Sequence, residues 1–357
     1  MRQRMEMRTR VAVLERLNQD LSIMELEIPP PRFGEVLVKI EYSGICGSQL
    51  MEISGSRGED KYLPHLLGHE ASGIVEVVGD GVTKVSPGDH VVVSWIRGNG
   101  IASKPAPISH NEFLIGRGAI ATFGEHAVIS ENCVFPIGRE IHLKHAALFG
   151  CAIPTGAGMV LNELPDDLSA STVGLFGLGG IGMSALHVLI EKKPKRIIVI
   201  DVNQEKLEIA KSLGLIYTIN ATDPEYATAL QRESGTEGFD FTLDASGTVL
   251  GISQAFDSVK KFGGKCVFAS HPELGQKLAL DPFDLLAGKE IKGSWGGGVN
   301  LDKDLPVLFR IFDEEKPIMA LLSSKVYPFI FINQALKDFK EGLVLRPMLR
   351  MDFNETH

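Results

Sequence analysis

A chain of 357 residues exceeds what one hydrophobic core ordinarily serves, so two domains are expected. With 44% hydrophobic residues, 23% charged residues and a net charge of −9, it reads as globular and unsuited to nucleic acid, which calls for a basic surface. No apolar run reaches the ~18 residues that span a bilayer, and four cysteines are too few for a disulfide scaffold, so no membrane partner and a cytoplasmic location are expected.

The N-terminus carries Arg2, Arg4, Arg8 and Arg10 with no apolar stretch behind them, which is unlike a secretory signal. The segments RVAVLERL, LSIMELEI and EVLVKIEYSG then read as strands, broken by PPPRFG. SGIVEVVGDGVTKVSPGDHVVVS continues the pattern, with GDG and PGD as turns. Strands this close predict an antiparallel or barrel-like domain. From about residue 171 the rhythm changes. STVGLFGL is a buried-strand run, IGMSALHVLIEKK has helical spacing, RIIVIDV is a strand, and QEKLEIAKSLG is a helix closed by glycine. FDFTLDAS, GKCVFAS and EIKGSW follow as strands separated by helical segments, the pattern of a parallel sheet with crossover helices. DKDLPVLFRIFDEE and INQALKDFKEG return to helical spacing before the terminal LRPMLRM.

The stretch GLFGLGGIGMSAL follows a strand and opens a helix. Gly177 permits the tight turn, Gly179 lets backbone approach a pyrophosphate, and Gly182 lets helix and strand pack closely. Gly180 and Ile181 lie between them, where the helix N-terminus offers free N–H groups to phosphate. Asp201 ends the next strand, 19 residues after Gly182. A carboxylate there accepts from a ribose 2′-OH and repels a 2′-phosphate, so NAD is favoured over NADP. Lys206 is a candidate neighbour of the ribose or adenine, or simply a solvated helix lysine.

Cys46, in YSGICGSQLMEI, has no second cysteine nearby. Its candidate partners are His69 with Glu70 in LLGHEASG, and Cys151 in LFGCAIPTGAG. Two cysteines and a histidine suit zinc and would leave a fourth position open, as catalytic sites do. Each cysteine taken alone reads equally as a small buried hydrophobe. Cys133 and Cys266 lie in strand-like runs and are expected to be packing residues.

The succession GICGS, GHE, GC followed by PTG, and GLGGIG resembles the zinc-dependent alcohol dehydrogenase family, also called medium-chain dehydrogenases, over residues 9–352. The resemblance implies an α/β fold with two parts. A GroES-like β-barrel catalytic domain takes residues 1–154 and 297–357, and a Rossmann NAD-binding domain with a doubly wound parallel sheet takes 155–296. It implies one catalytic zinc held by Cys46, His69 and Cys151, with Glu70 as an outer or alternating ligand. Ser48 matches the hydroxyl that bonds the substrate oxygen, Thr155 a position beside the nicotinamide, and Arg346 an arginine that contacts the pyrophosphate.

Departures from the family pattern are informative. The four cysteines of a structural zinc lobe are missing from WIRGNGIASKPAPISHNEFLIGRGAIATF, so a single zinc is expected. Gln49 replaces the aspartate that orients the zinc-bound histidine, and its carbonyl is expected to accept that bond. Met51 stands at a proton-relay histidine, and Gly47 at a basic phosphate contact. His65 is a candidate substrate contact or a loop histidine, and Trp95 and Trp295 are candidate pocket walls or core aromatics.

The expected activity is hydride transfer between NAD and an alcohol, with a polyol or sugar-type secondary alcohol among the candidates, forming the aldehyde or ketone. Two alternatives stand beside it: a reductase working mainly in the carbonyl-reducing direction, and a non-catalytic NAD-binding protein that retains the metal site. The resemblance also implies a homodimer or homotetramer joined through the edge strand EIKGSWGGG, with Ser294→Pro as a disrupting change.

Overall fold

The computed structural model describes residues 7–111, 113–214 and 216–351; Arg2 and Arg4 lie outside them. The chain forms two compact units, one of residues 1–151, 300–309 and 313–357, the other of residues 152–299 and 310–312.

In the first unit the strands are β1 (Met7–Leu14), β2 (Ser22–Ile28), β3 (Glu35–Gly44), β4 (His65–Leu66), β5 (Glu70–Val78), β6 (His90–Ser94), β7 (Ile108–His110), β8 (Phe113–Ile115), β9 (His126–Ser130) and β10 (Val134–Ile137). Helix α1 (Gly47–Ser54) follows β3, and α2 (Leu143–Ala146) follows β10. In the second unit α3 (Ala152–Leu161) precedes β11 (Thr172–Phe176), α4 (Gly180–Lys192), β12 (Arg196–Asp201), α5 (Gln204–Ser212), β13 (Tyr217–Asn220), α6 (Tyr226–Ser234), β14 (Phe241–Asp244), α7 (Val249–Asp257), β15 (Lys265–Phe268), α8 (Pro282–Leu286) and β16 (Glu290–Gly293). The chain closes with α9 (Leu301–Ile311), α10 (Pro317–Leu322), β17 (Lys325–Pro328), α11 (Ile332–Lys340) and β18 (Pro347–Arg350).

The first unit is built on a sheet ordered β10-β6-β5-β3-β18-β17, with β9 also paired to β3. Val36, Val38 and Ile40 of β3 alternate into a core shared with Val75, Val91, Val93, Ile129 and Leu349. Two register shifts between β3 and β5 bend the sheet, and Gly73 is obligatory there because a Cβ would lie 2.1 Å from the Lys39 carbonyl oxygen. The second unit carries an all-parallel sheet ordered β13-β12-β11-β14-β15-β16, the doubly wound arrangement. Its central strands are apolar on both faces, as helices on either side require: Ile197 to Ile200 are buried throughout.

Several elements escaped the sequence reading, α1 and β13 among them. Helix α1 has only eight residues, and its N-cap is Cys46, not one of the oxygen-bearing residues that usually mark a helix start. Strand β13 is four residues long and directly follows the glycine that closes α5.

Candidate active site

Cys46 sits at the junction of β3 and α1, in extended conformation with φ −109° and ψ 158°. His69 precedes β5, and Cys151 precedes α3. These three segments are far apart in sequence, yet one ligand atom from each lies within 4.8 Å of the other two. Cys46 Sγ and Cys151 Sγ are 4.0 Å apart. Nε2 of His69 is buried and has no hydrogen-bond partner among the described residues. A buried, unsatisfied ring nitrogen beside two thiols fits a soft divalent cation, and zinc above all.

The electrostatics agree. The Cys46 thiol is held well below the ordinary thiol range by the hydrogen bond from Cys151, with Arg346 and His69 adding to it against burial. Cys151 is pushed well up, first by the same bond and then by burial. Burial alone would depress the His69 imidazole, but the Cys46 thiol beside it and the negative charge of Cys46 and Glu70 outweigh that and raise it.

Two glycines make room for the charge behind the trio. A Cβ at Gly44 would lie 2.7 Å from the Glu70 carboxyl, and one at Gly150 would lie 2.7 Å from Glu70 Cβ. Glu70, fully buried, pairs through Oε1 with the guanidinium of Arg346, itself 3% exposed. Burial raises the Glu70 carboxyl while Arg346 draws it back. Burial lowers and the surrounding negative charge more than restores the Arg346 guanidinium, so it stays protonated. The charge of Arg346 thus faces Glu70, a partner the sequence reading did not give it.

Gln49, on the first turn of α1, is 1% exposed. Its carbonyl Oε1 accepts from the Cys46 backbone N–H at 2.9 Å, and its Nε2 lies 2.7 Å from His69 Nδ1. The expected carbonyl bond to His69 is therefore not what the chain makes, because the carbonyl is committed to Cys46. Ser48 Oγ lies 3.5 Å from the same Nδ1. Trp95 presents its ring edge-on to His69 with 6.5 Å between centroids, whereas Trp295 is 81% exposed. His65 is a loop histidine with both nitrogens engaged, Nε2 to Asp60 at 2.7 Å and Nδ1 to the Leu66 carbonyl at 3.1 Å. Cys133 and Cys266 are buried, and burial pushes their thiols up to about 11 and about 12.

This chain closes the segment after β6 on a carboxylate that the sequence reading passed over. Glu131 Oε1 accepts from the N–H groups of Thr83 and Lys84 at 2.7 and 2.8 Å, and Oε2 accepts from that of Ile101 at 2.7 Å. Lys84 in turn reaches Asp302 at 2.6 Å.

In the second unit the glycine turn runs from β11 into α4. Gly177 has φ +89°, and its N–H donates to the Ile200 carbonyl at 2.7 Å. A Cβ at Gly182 would lie 1.9 Å from the Gly177 carbonyl oxygen, while one at Gly179 would meet nothing within 4 Å. Gly180 and Ile181 form the first turn of α4. Asp201 takes the Leu178 N–H on Oδ2 at 2.5 Å and the Asn203 N–H on Oδ1 at 2.8 Å, which holds its carboxylate against the turn with acceptor capacity to spare. Lys206 lies in the first turn of α5, where its N–H donates to the Asn203 cap at 3.1 Å. Thr155, on α3, is 2% exposed, and its Oγ1 has no partner among the described residues. Open space at Gly179, a carboxylate fixed beside it and an orphaned hydroxyl fit a bound dinucleotide.

A thiol and imidazole trio in an antiparallel unit, joined in one chain to a glycine-turn parallel sheet, defines a metal-dependent dinucleotide oxidoreductase. Residues 32–139 match the alcohol dehydrogenase GroES-like domain, and residues 180–314 match the zinc-binding dehydrogenase family. The chain is 32% identical over 375 aligned positions to S-(hydroxymethyl)glutathione dehydrogenase of Escherichia coli, covering 96% of this chain and all of that protein. It is 30% identical to alcohol dehydrogenase 2 of Zea mays, covering 96% of this chain and 97% of that one. The crystal structure of benzyl alcohol dehydrogenase from Acinetobacter calcoaceticus superposes with a TM-score of 0.85 at 30% identity, over 97% of this chain and 100% of that chain. The chain belongs to the zinc-dependent alcohol dehydrogenase family. It is an oxidoreductase of the alcohol dehydrogenase type, with zinc and NAD as its cofactors. Among the described residues no helix is long and apolar enough to cross a membrane.

Proposed function

We propose that the protein oxidises an alcohol to its aldehyde or ketone, with Cys46, His69 and Cys151 as the zinc ligands and NAD held in the second unit. The observation that carries this reading is the orphaned His69 Nε2 within 4.8 Å of two cysteine sulfurs. Zinc bound there would act as a Lewis acid on the substrate oxygen. Ser48 takes the proton of the substrate hydroxyl on Oγ as it passes its own proton onward. Trp95, edge-on to His69, gives the site an apolar wall. Glu70 keeps a buried negative charge behind the ligands, balanced by Arg346. Asp201 accepts from the adenosine ribose, Gly177 to Gly182 admit the pyrophosphate, Thr155 bonds the nicotinamide end, and Lys206 flanks the ribose.

Intact ligand and hydroxyl positions favour catalysis over a purely binding role. Asp201 favours NAD, and so the oxidising direction, over the NADPH use common in reductases. The test is NAD reduction by purified protein with bound metal measured beside it. The panel includes S-(hydroxymethyl)glutathione and benzyl alcohol, on which relatives act by name, and polyol and sugar-type secondary alcohols. Inactivity across the panel with zinc and NAD bound would leave the non-catalytic alternative.

We place the protein in the cytoplasm, in keeping with four free cysteines, and as a homodimer or homotetramer. Strand β16 is the edge of the parallel sheet. Ser294 is the wrong place to break that edge, because its N–H points inward to the Phe268 carbonyl at 2.8 Å, as that of Glu290 points to Gly264. By alternation Ile291 and Gly293 present their N–H groups outward, so Gly293→Pro is the change expected to split the oligomer. Light scattering giving the 38.8 kDa of one chain for the unaltered protein would defeat the assembly reading.

A further inference from the structure

We infer that Gln49 decides which ring nitrogen of His69 carries the proton, and thereby keeps the chain's zinc affinity below what a carboxylate in its place would give. The inference rests on the reading of the trio as a zinc site. The amide of Gln49 is wedged between two groups, the Cys46 backbone N–H at 2.9 Å and His69 Nδ1 at 2.7 Å. A backbone N–H can only donate, so it demands the amide oxygen. The NH2 end is then turned on His69, and turning the amide over would set NH2 against the Cys46 N–H instead. An NH2 group also only donates, so its bond requires Nδ1 to accept. The imidazole proton must then sit on Nε2, which aims among the cysteine sulfurs.

A cation at the trio asks for the opposite arrangement. It takes the Nε2 lone pair, which leaves the proton on Nδ1, facing a donor at 2.7 Å. The remaining acceptor near Nδ1 is Ser48 Oγ at 3.5 Å, which is too far for a good bond until something moves. Loading the site therefore breaks one hydrogen bond, either at His69 or at Cys46. Gln49 is 1% exposed, so water does not replace it. A carboxylate would accept from both neighbours at once, with one oxygen for each.

The test starts with Gln49→Glu, which exchanges one NH2 for oxygen and keeps the length of the side chain. Zinc affinity of the full-length chain, read by competition with a chromogenic chelator, is expected to tighten about 10–100-fold. Added negative charge would also tighten it, so two further arms carry the inference without charge. Gln49→Met removes the opposed donor and is expected to bind zinc at least as tightly as the unaltered chain. A fall of about 10–100-fold with the melting temperature of the metal-free protein unchanged would overturn the inference. Histidine nitrogen NMR on the metal-free, unaltered chain is expected to show His69 protonated on Nε2, and Gln49→Glu to move the proton to Nδ1. A proton on Nδ1 in the unaltered chain would overturn the inference whatever the variants do. A chain that shows the Nε2 proton but takes up no zinc would refute the metal reading instead.

Discussion

At Gly182 the chain needs a missing side chain because a Cβ would lie 1.9 Å from a backbone oxygen five residues earlier in the same motif, that of Gly177. At Gly44 it needs the same absence to admit the carboxyl of Glu70, and at Gly150 to clear the Val93 carbonyl oxygen as well as Glu70. The dinucleotide turn and the thiol pocket thus use one residue type in two ways. The turn is local in sequence: a strand, a turn and a helix follow one another directly, and Ile200, Asp201 and Ser246 from neighbouring segments close around it. The pocket is a convergence, in which no stretch contains the site and each contributes one atom. The turn can be dissected by subtracting space, and the pocket by subtracting ligands.

The largest effect is expected in the pocket. Cys46→Ala and Cys151→Ala should each cost more zinc affinity than the about 10–100-fold lost with an outer partner, and abolish activity. NAD affinity, measured by calorimetry on the same variants, should be unchanged, since no residue of the glycine turn is touched. A loss of both together would erase the distinction between the two regions.

The turn is expected to separate its own two glycines. Gly182→Ala has nowhere to put a methyl group and should lower stability by about 3 kcal/mol, seen as a fall in melting temperature. Gly179→Ala meets nothing within 4 Å, so it should leave the melting temperature alone and weaken NAD binding. Equal melting temperatures for the two variants would contradict the packing described for α4.

Asp201→Gly should weaken NAD binding by about tenfold to a hundredfold, or roughly 1.5–3 kcal/mol, and narrow the preference over NADP. Titration of both cofactors into both proteins reads this directly. Wild-type preference for NADP would overturn the role given to the carboxylate.

The smallest effect concerns Asp244, whose neighbour Ser246 packs against Gly177. Oδ1 accepts from Ser246 Oγ at 2.7 Å, Oδ2 is buried without a partner among the described residues, and burial pushes the carboxyl up to about 7. An unfolded aspartate titrates near 4, so between about 4 and 7 the folded chain holds a proton that the unfolded chain has released. Stability from this group is complete below that window and is lost as pH rises through it. Asp244→Asn should remove the decline and gain about 1–3 kcal/mol at pH 8. Denaturant titrations of the metal-free proteins across the window would show it as a flatter profile.

Legibility followed the same division. The parallel sheet, its glycine turn and Asp201 were readable because each signal sits within one run of residues. The trio became readable through the order of four separated motifs, since Cys46 alone reads like Cys266. Gln49 was legible as a departure but not in its orientation, which depends on the Cys46 N–H as well as on His69. The pairing of Arg346 with Glu70 joins residues that no local pattern relates. The inward direction of the Ser294 N–H depended on strand register, which one edge strand does not state by itself.

The carboxylate of Glu131 ties three backbone N–H groups from two loops. A tie made of carboxylate indifferent to chelators uncouples the endurance of this corner from metal supply. Stripping zinc with a chelator should leave the amides of Thr83, Lys84 and Ile101 as protected from hydrogen exchange as before. Acid is the solvent condition that unties them: burial works against the charge, yet the three N–H bonds hold the Glu131 carboxyl below its ordinary range. The protection is in place above the ordinary glutamate range and is lost as pH falls through that depressed value. What holds this corner answers to acid and not to metal supply.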